Sequence, residues 1–255
     1  MDWSIFLQKA PSGGMTYLGW LASGTMWTLV VSLCAWVIAF TVGSILGVLR
    51  TTPLRIPRAI ATAYVEVFRN IPLLVQMFLW YFVVPEVIPK RWGDYLKTEF
   101  PNIVELPFAQ FSMLEFSAAV LCLGFYTASR VAEQVRAGIQ SLPRGQTSAG
   151  LAMGFTLPQV YRFVLLPMAY RIIVPPMTSE FLTIFKNSST ALTIGVLELT
   201  AQSRQISEYT FKTFEAFTAA TVIYIVITLT VIFLMRALEA RVAVPGYISK
   251  AGGAH

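Results

Sequence analysis

Long apolar runs, broken at intervals by arginine, lysine and proline, make up most of the chain. From Ala10 to Leu49 there is no Asp, Glu, Lys or Arg, and a bilayer-crossing helix needs about 20 mainly apolar residues. The pattern predicts a first span within Tyr17–Leu49. That run is too long for a signal-peptide core, and the residues before it lack a basic n-region. A second span, about 59–84, begins amphipathically near Ala59 and turns strongly apolar over Leu73–Val84. Pro85–Glu115 carries proline, glycine and eight charges and reads as a solvent-facing loop with a short helix at most. The third span, about Phe116–Arg136, is interrupted by Arg130 and Glu133. The fourth, about Phe163–Phe185, holds Arg171, Glu180, Pro167, Pro175 and Pro176, which survive at that depth only where protein or water satisfies them. The fifth, Ala216–Met235, is twenty uncharged residues. Asn187–Leu197 is too short to cross and is expected as a re-entrant or half helix. Residues 1–16 and 242–255 flank this five-span domain of 17–241.

Charge placement orients the spans. With the N-terminus outside, nine Lys and Arg fall on the inner segments and seven on the outer ones. The persuasive clusters follow spans one and five, as the positive-inside rule requires.

Composition narrows the class. Of 255 residues, 56% are apolar and 13% charged, about half the share of charge in soluble domains. The chain is therefore read as an all-α integral membrane protein. A formal charge of +6 fits a cytoplasmic Lys and Arg excess and needs no nucleic acid. The single histidine is His255, and Cys34 and Cys122 sit alone in apolar runs. No catalytic residue, metal ligand set or cofactor follows from this inventory. No G-x-x-x-x-G-K-[ST] loop occurs, so nucleotide hydrolysis is not expected of this chain.

The most informative polar stretch is Glu133–Pro167, EQVRAGIQSLPRGQTSAGLAMGFTLPQVYRFVLLP. It reads as a helix end, a break at Leu142-Pro143, a short helix around Thr147–Met153 and a glycine cap at Gly154. Small residues Ala149, Gly150 and Ala152 permit close approach by a partner, and Arg144 and Arg162 flank the element. The segment resembles the cytoplasmic coupling motif of ABC importer permeases, with Gly154, Val164 and Leu166-Pro167 at the motif's spacing. Ser148-Ala149-Gly150 stands where the motif has Glu-Ala-Ala. YVEVFRNIPLLVQ, Tyr64–Gln76, and TSEFLTIFKNSSTALTIGVLEL, Thr178–Leu199, resemble two signatures of the polar amino-acid permeases. The likeness spans about Tyr17 to Arg241 and is greatest to glutamate/aspartate import permeases of Gram-negative bacteria. The resemblance implies a type I ABC importer transmembrane domain in a bacterial inner membrane, without enzymatic activity of its own. It implies a second similar permease, an ABC ATPase dimer and a periplasmic amino-acid-binding protein as partners. Coupling to the ATPase would fall to Leu142, Pro143, Arg144, Ser148, Ala149, Gly150, Gly154 and Arg162, the element 142–154 acting as a lever.

Charges within the spans mark the expected substrate path: Glu66, Arg69, Asn70, Arg130, Glu180, Lys186, Asn187 and Ser188. Glu66 and Arg69, three apart, read either as an ion pair or as gating charges. Glu180 with Lys186 reads as a buried pair or as part of the path. Arg130 stands where the family usually has an aromatic or apolar residue. Its fork suits an acidic substrate; the alternative is an internal pair with Glu133 or Gln134. A secondary transporter working without an ATPase is the competing function, and a membrane-embedded enzyme or assembly factor a more distant one.

Overall fold

The computed structural model describes residues 1–11, 14–100 and 111–242. The expected tail from 243 onward and the 101–110 part of the charged loop lie outside the described residues. Helix α1, Tyr17–Leu49, is 33 residues long and begins where the Thr16 hydroxyl accepts the Gly19 N–H. At 1.5 Å per residue it is about 50 Å long, enough to cross a bilayer with both ends outside the hydrocarbon. Val31, Ala35, Ala39, Gly43 and Gly47 step along one buried stripe, while Leu33, Val37, Phe40 and Ile45 are exposed. Small residues face inward and large apolar ones outward, as helix packing in lipid favours.

Helix α6, Met113–Gln140, lies along that stripe and makes the most extensive contact in the fold. A Cβ on Gly43 would stand 2.7 Å from the Ala128 carbonyl oxygen and 2.6 Å from Val131 Cβ. On Gly47 the same distances are 2.7 Å to the Ala132 oxygen and 2.6 Å to Val135 Cβ. Only glycine allows the two backbones this close.

The second predicted span is not one straight helix. Helix α2, Arg55–Asn70, stops before Pro72, and the chain turns by 105° into Leu73–Val87. The latter comprises α3, Leu73–Phe78, a π turn at Leu79–Val83 and α4, Val84–Val87. Pro72 cannot donate to the preceding turn, so carbonyls are left open at the break. Buried Gln76 answers them, donating Nε2 to the Phe68 oxygen at 2.8 Å and the Ile71 oxygen at 2.9 Å. Helix α5, Lys90–Thr98, follows in the charged loop.

Helix α7, Arg144–Ala152, begins directly after Pro143, three residues earlier than the short helix expected around Thr147. The chain then runs through α8, Leu157–Val160, a π turn at Tyr161–Leu165 and α9, Leu166–Asn187, without interruption. Helix α9 accommodates Pro175 and Pro176, with the Thr178 hydroxyl 3.1 Å from the Val174 oxygen. A 3-10 turn, Ser188–Ile194, follows α9 and ends at Gly195 with φ of 98°. Helices α10, Leu199–Thr210, and α11, Thr213–Val242, complete the chain.

Among the described residues α1 and α11 are long and apolar enough to cross a membrane alone, and the bent pair meets the same test only when its two arms are taken together. Helices α6 and α9 have the length but carry Arg130, Glu133 and Arg136, and Arg171, Glu180 and Lys186. Three buried clusters stack along α1: one around Trp20 and Leu199, one around Ala35 and Leu123, one around Val135 and Ile173. The first is tied by Glu198, which accepts the Thr200 and Ala201 N–H groups and the Tyr224 hydroxyl, at 3.0, 2.9 and 2.8 Å.

Gly43→Leu and Gly47→Leu should each reduce stability by about 2 kcal/mol or more, because the helices must separate to admit a side chain. Val37→Leu, on the exposed face, should change it by a few tenths at most. Thermal unfolding of detergent-purified protein checks this, and equal midpoints in all three variants would refute the close approach.

Candidate functional site

Arg130, Glu133, Gln134 and Arg136 lie on consecutive turns of α6, where offsets of three and four keep side chains near one another. Arg130 reaches across to α9 and grips Glu180, with Nε at 2.6 Å from Oε2 and Nη2 at 3.2 Å from Oε1. The arginine side chain keeps 40% exposure and the glutamate 6%. The carboxylate is therefore fixed while part of the guanidinium remains open. This bidentate geometry is the strong form of a charge-assisted hydrogen bond.

Glu133 points toward the end of α1. It accepts Arg50 Nη1 at 2.5 Å, pairs with Arg136, and lies 3.7 Å from Arg69 Nη1. Arg136 also donates to Gln140 Oε1 at 2.6 Å. Arg69, Arg130, Glu133, Gln134 and Glu180 enclose a small cavity of about 120 Å³. Two guanidiniums and two carboxylates thus line this space, while Arg50 and Arg136 pair with Glu133 from outside the lining. Arg69, held by one long contact, has donors to spare.

Several expected pairings are not formed. Arg130 bonds neither Glu133 nor Gln134, because an offset of three turns Glu133 about 60° toward α1. Glu66 does not pair with Arg69. Asn70 Nδ2 instead lies 2.7 Å from the Glu66 carbonyl oxygen and 3.4 Å from its Oε2, and Arg69 faces α6. Glu180 does not pair with Lys186, since six residues place them about 120° apart around the helix and about 9 Å along it. Lys186 instead borders a separate cavity of about 480 Å³ with Thr200, Thr221 and Tyr224. Asn187 and Ser188 also lie outside the arginine cluster: the Asn187 carbonyl accepts the Thr190 hydroxyl, and buried Ser188 bonds the Phe185 oxygen. Of the eight path candidates, three line the small cavity: Arg69, Arg130 and Glu180.

The polar element around α7 has its own construction. Leu142 is buried beside Val160 and Leu165, anchoring the start. Gly150 packs on Val160, where a Cβ would meet Cγ2 at 2.9 Å. Arg144, Ser148, Ala149 and Arg162 are exposed, with Arg162 5.5 Å above the Phe163 ring. Gly154 has φ of +86°, and the bonds Gly154 N–H to Leu151 O and Phe155 N–H to Gly150 O close a Schellman end. A Cβ there would meet nothing within 4 Å, so glycine is required by conformation and not by space. The Tyr161 hydroxyl bonds the Thr51 carbonyl at 2.9 Å. A continuous line therefore runs from the α7 region through Tyr161, Thr51, Arg50 and Glu133 to the arginine cluster. Sequence reading assigned no site role to Arg50, Arg136, Tyr161 or Glu198. The signal available was an ionisable or hydroxyl group inside an apolar segment, but their partners are far away in sequence.

The family described as binding-protein-dependent transport system inner membrane component matches residues 39–244. The chain is 52% identical to the glutamate/aspartate import permease protein GltJ of Escherichia coli (strain K12), covering 96% of each. It is 34% identical to a probable amino-acid ABC transporter permease protein of Vibrio harveyi, over 90% of this chain and 92% of that one. A crystal structure of an amino acid ABC transporter with histidines superposes with a TM-score of 0.71 at 30% identity, covering 88% of this chain and 95% of that one.

The Arg130–Glu180 pair makes a prediction about stability. Arg130→Gln should cost about 2 kcal/mol, because it leaves a buried carboxylate unpaired. Glu180→Gln should cost less, since the arginine it frees is partly exposed, and the double variant should recover part of the loss. Unfolding midpoints of the four proteins test this; strictly additive losses would show that the pair is uncoupled.

Proposed function

The chain belongs to the family of binding-protein-dependent transport system inner membrane components, and from that premise we propose that it carries glutamate and aspartate across the membrane. It is the permease subunit of an amino-acid importer of the ABC type. Family membership selects this over the secondary-transporter alternative. On our reading five spans cross the inner membrane with the N-terminus outside. A second permease completes the path, two copies of an ATPase supply the energy, and a binding protein delivers substrate at the outer face. This chain itself performs no chemistry.

The observation that carries the substrate assignment is that two arginines with donors to spare, half-exposed Arg130 and loosely held Arg69, line the cavity between α2, α6 and α9. An acidic amino acid has one carboxylate more than its amide. That carboxylate matches the open edge of Arg130 and the spare donors of Arg69, whereas an amide gains no charge-assisted bond. The 52% identical glutamate/aspartate import permease of Escherichia coli supports the same class. Glu180 holds Arg130 in place when no substrate is bound, so the site need not bury a lone cation. Helix α7 with Leu142, Pro143, Arg144, Ser148, Ala149, Gly150 and Gly154 is the element assigned to the ATPase surface, with Arg162 at its flank. Closure of the ATPase dimer would move α7, and Tyr161 would pass the displacement to Thr51 and the arginine cluster. Coupling in this sense is a shift between two arrangements that both ends bias.

Two measurements test the reading. In Arg130→Tyr, uptake of glutamate and aspartate into proteoliposomes should fall about tenfold or more relative to glutamine and asparagine, as expected for losing a charged bidentate contact. Glu133→Gln should leave the preference intact; an unchanged acidic preference in Arg130→Tyr removes the residue-level argument. In Gly154→Leu, forcing a branched side chain to positive φ should cost roughly 1–2 kcal/mol locally. ATP hydrolysis should persist while uptake drops. Normal uptake there would exclude a coupling role for the α7 end.

A further inference from the structure

Two adjoining cavities open beside α7, and none of the residues assigned to the substrate path lines either. The larger, about 740 Å³, is mixed in character: Thr51, Arg58, Gln140, Arg144 and Thr147 line it beside Ile139, Leu142 and Leu165. The smaller, about 480 Å³, is walled by Val48, Leu54, Pro158 and Leu166, with Arg162 at its rim. Thr52, Pro53, Leu157 and Tyr161 line both, so a chamber with charged groups adjoins an apolar one.

Charge decides what fits. No Asp or Glu lines either chamber. Arg58, Arg144 and Arg162 enter no ion pair among the described residues. Three guanidiniums without a carboxylate call for an anion supplied from outside the chain. The apolar chamber excludes a purely polar anion as the full occupant, because it would remain unfilled. Exposed Leu54, at 58%, stands at its mouth, an apolar side chain suited to contact with lipid.

We propose that this composite space is a binding site for an anionic phospholipid, the phosphate lying between Arg58 and Arg144 and an acyl chain in the groove between Val48, Leu54 and Leu166. A basic pocket between helices at the membrane boundary recognises such headgroups. A zwitterionic lipid carries its own ammonium and gains less there. The site touches the coupling machinery on two sides, through Arg144 and Thr147 of α7 and through Tyr161 of the π turn. A bound lipid therefore braces α7 against the turn between α1 and α2. Placing it in the cytoplasmic leaflet rests on the orientation proposed above; the existence of the site does not.

The test uses the intact transporter complex, delipidated in detergent and then titrated with phosphatidylglycerol or phosphatidylcholine, bound lipid being counted by native mass spectrometry. Phosphatidylglycerol should bind more tightly than phosphatidylcholine. Arg58→Gln should weaken it about fivefold, the usual worth of one arginine near anionic lipid, and Arg58→Lys should keep most of the affinity. Leu54→Trp, which fills the groove, should also weaken phosphatidylglycerol without abolishing assembly of the complex. Equal binding of the two lipids, or no change in either Arg58→Gln or Leu54→Trp, overturns the proposal. Displacement of the bound lipid by inorganic phosphate alone shows a free-anion site and overturns it too. Both faces are accessible in detergent, so binding is read whichever way the chain inserts. Labelling of Leu54→Cys in sealed vesicles by an impermeant thiol reagent, in a Cys34→Ala, Cys122→Ala background, reads the orientation separately.

Discussion

The close approach of α1 and α6 is the constraint on which the rest of the structure depends. In lipid there is no hydrophobic gain from burying one apolar side chain against another, so helices associate through fine packing and polar contacts. Ala35, Ala39, Gly43 and Gly47 supply the packing by removing side chains from the seam. Once the backbones meet, the register is fixed. Arg50 at the end of α1 arrives beside Glu133, and the opposite flank of α6 presents Arg130 to Glu180 of α9. A slip of one turn along the seam would break both contacts.

The charges inside the fold are organised by that register. Glu133 and Glu180 are each held by at least one guanidinium, and Arg69 and Arg130 meet at one small cavity. Burying even paired ions costs desolvation, which only good geometry offsets. Such an arrangement is weak as a stabilising device. It is better understood as a way to keep cations available for an anion without leaving them bare in the membrane. The same logic explains Glu198 at the other end, where a buried carboxylate is satisfied by two helix N–H groups and a tyrosine.

Irregular backbone is concentrated at the junctions between helices. The break at Pro72 is closed by Gln76, the π turn at Tyr161–Leu165 connects α8 to α9, and Gly154 ends α7 in a conformation other residues avoid. π turns and left-handed caps are costly locally and persist where their surroundings fix them. Here they separate rigid helices that carry the two ends of the proposed coupling line. Tyr161 bridges them by a single hydroxyl contact to Thr51.

Much of this was legible in the sequence because it depends on local pattern. The charge-free run placed α1, the run Ala216–Met235 lies within α11, and Pro143 with Gly154 marked the coupling element, since hydropathy, proline and glycine act on their own neighbourhood. The same reasoning selected Arg130, Arg69 and Glu180 as functional, because a charge in an apolar segment is conspicuous wherever its partner lies. What it could not supply was the pairing. Arg130 and Glu180 are fifty positions apart, and Arg50 and Glu133 eighty-three. Local rules offered Glu66 with Arg69 and Glu180 with Lys186 as possible pairs, but Arg69 reaches toward Glu133 of α6 and Glu180 is taken by Arg130. The 105° bend was equally hidden, because proline announces a break but not its direction. Which charge meets which was decided only by the depth at which α1, α6 and α9 lock together, and that depth is set by glycines whose importance lies in the atoms they omit.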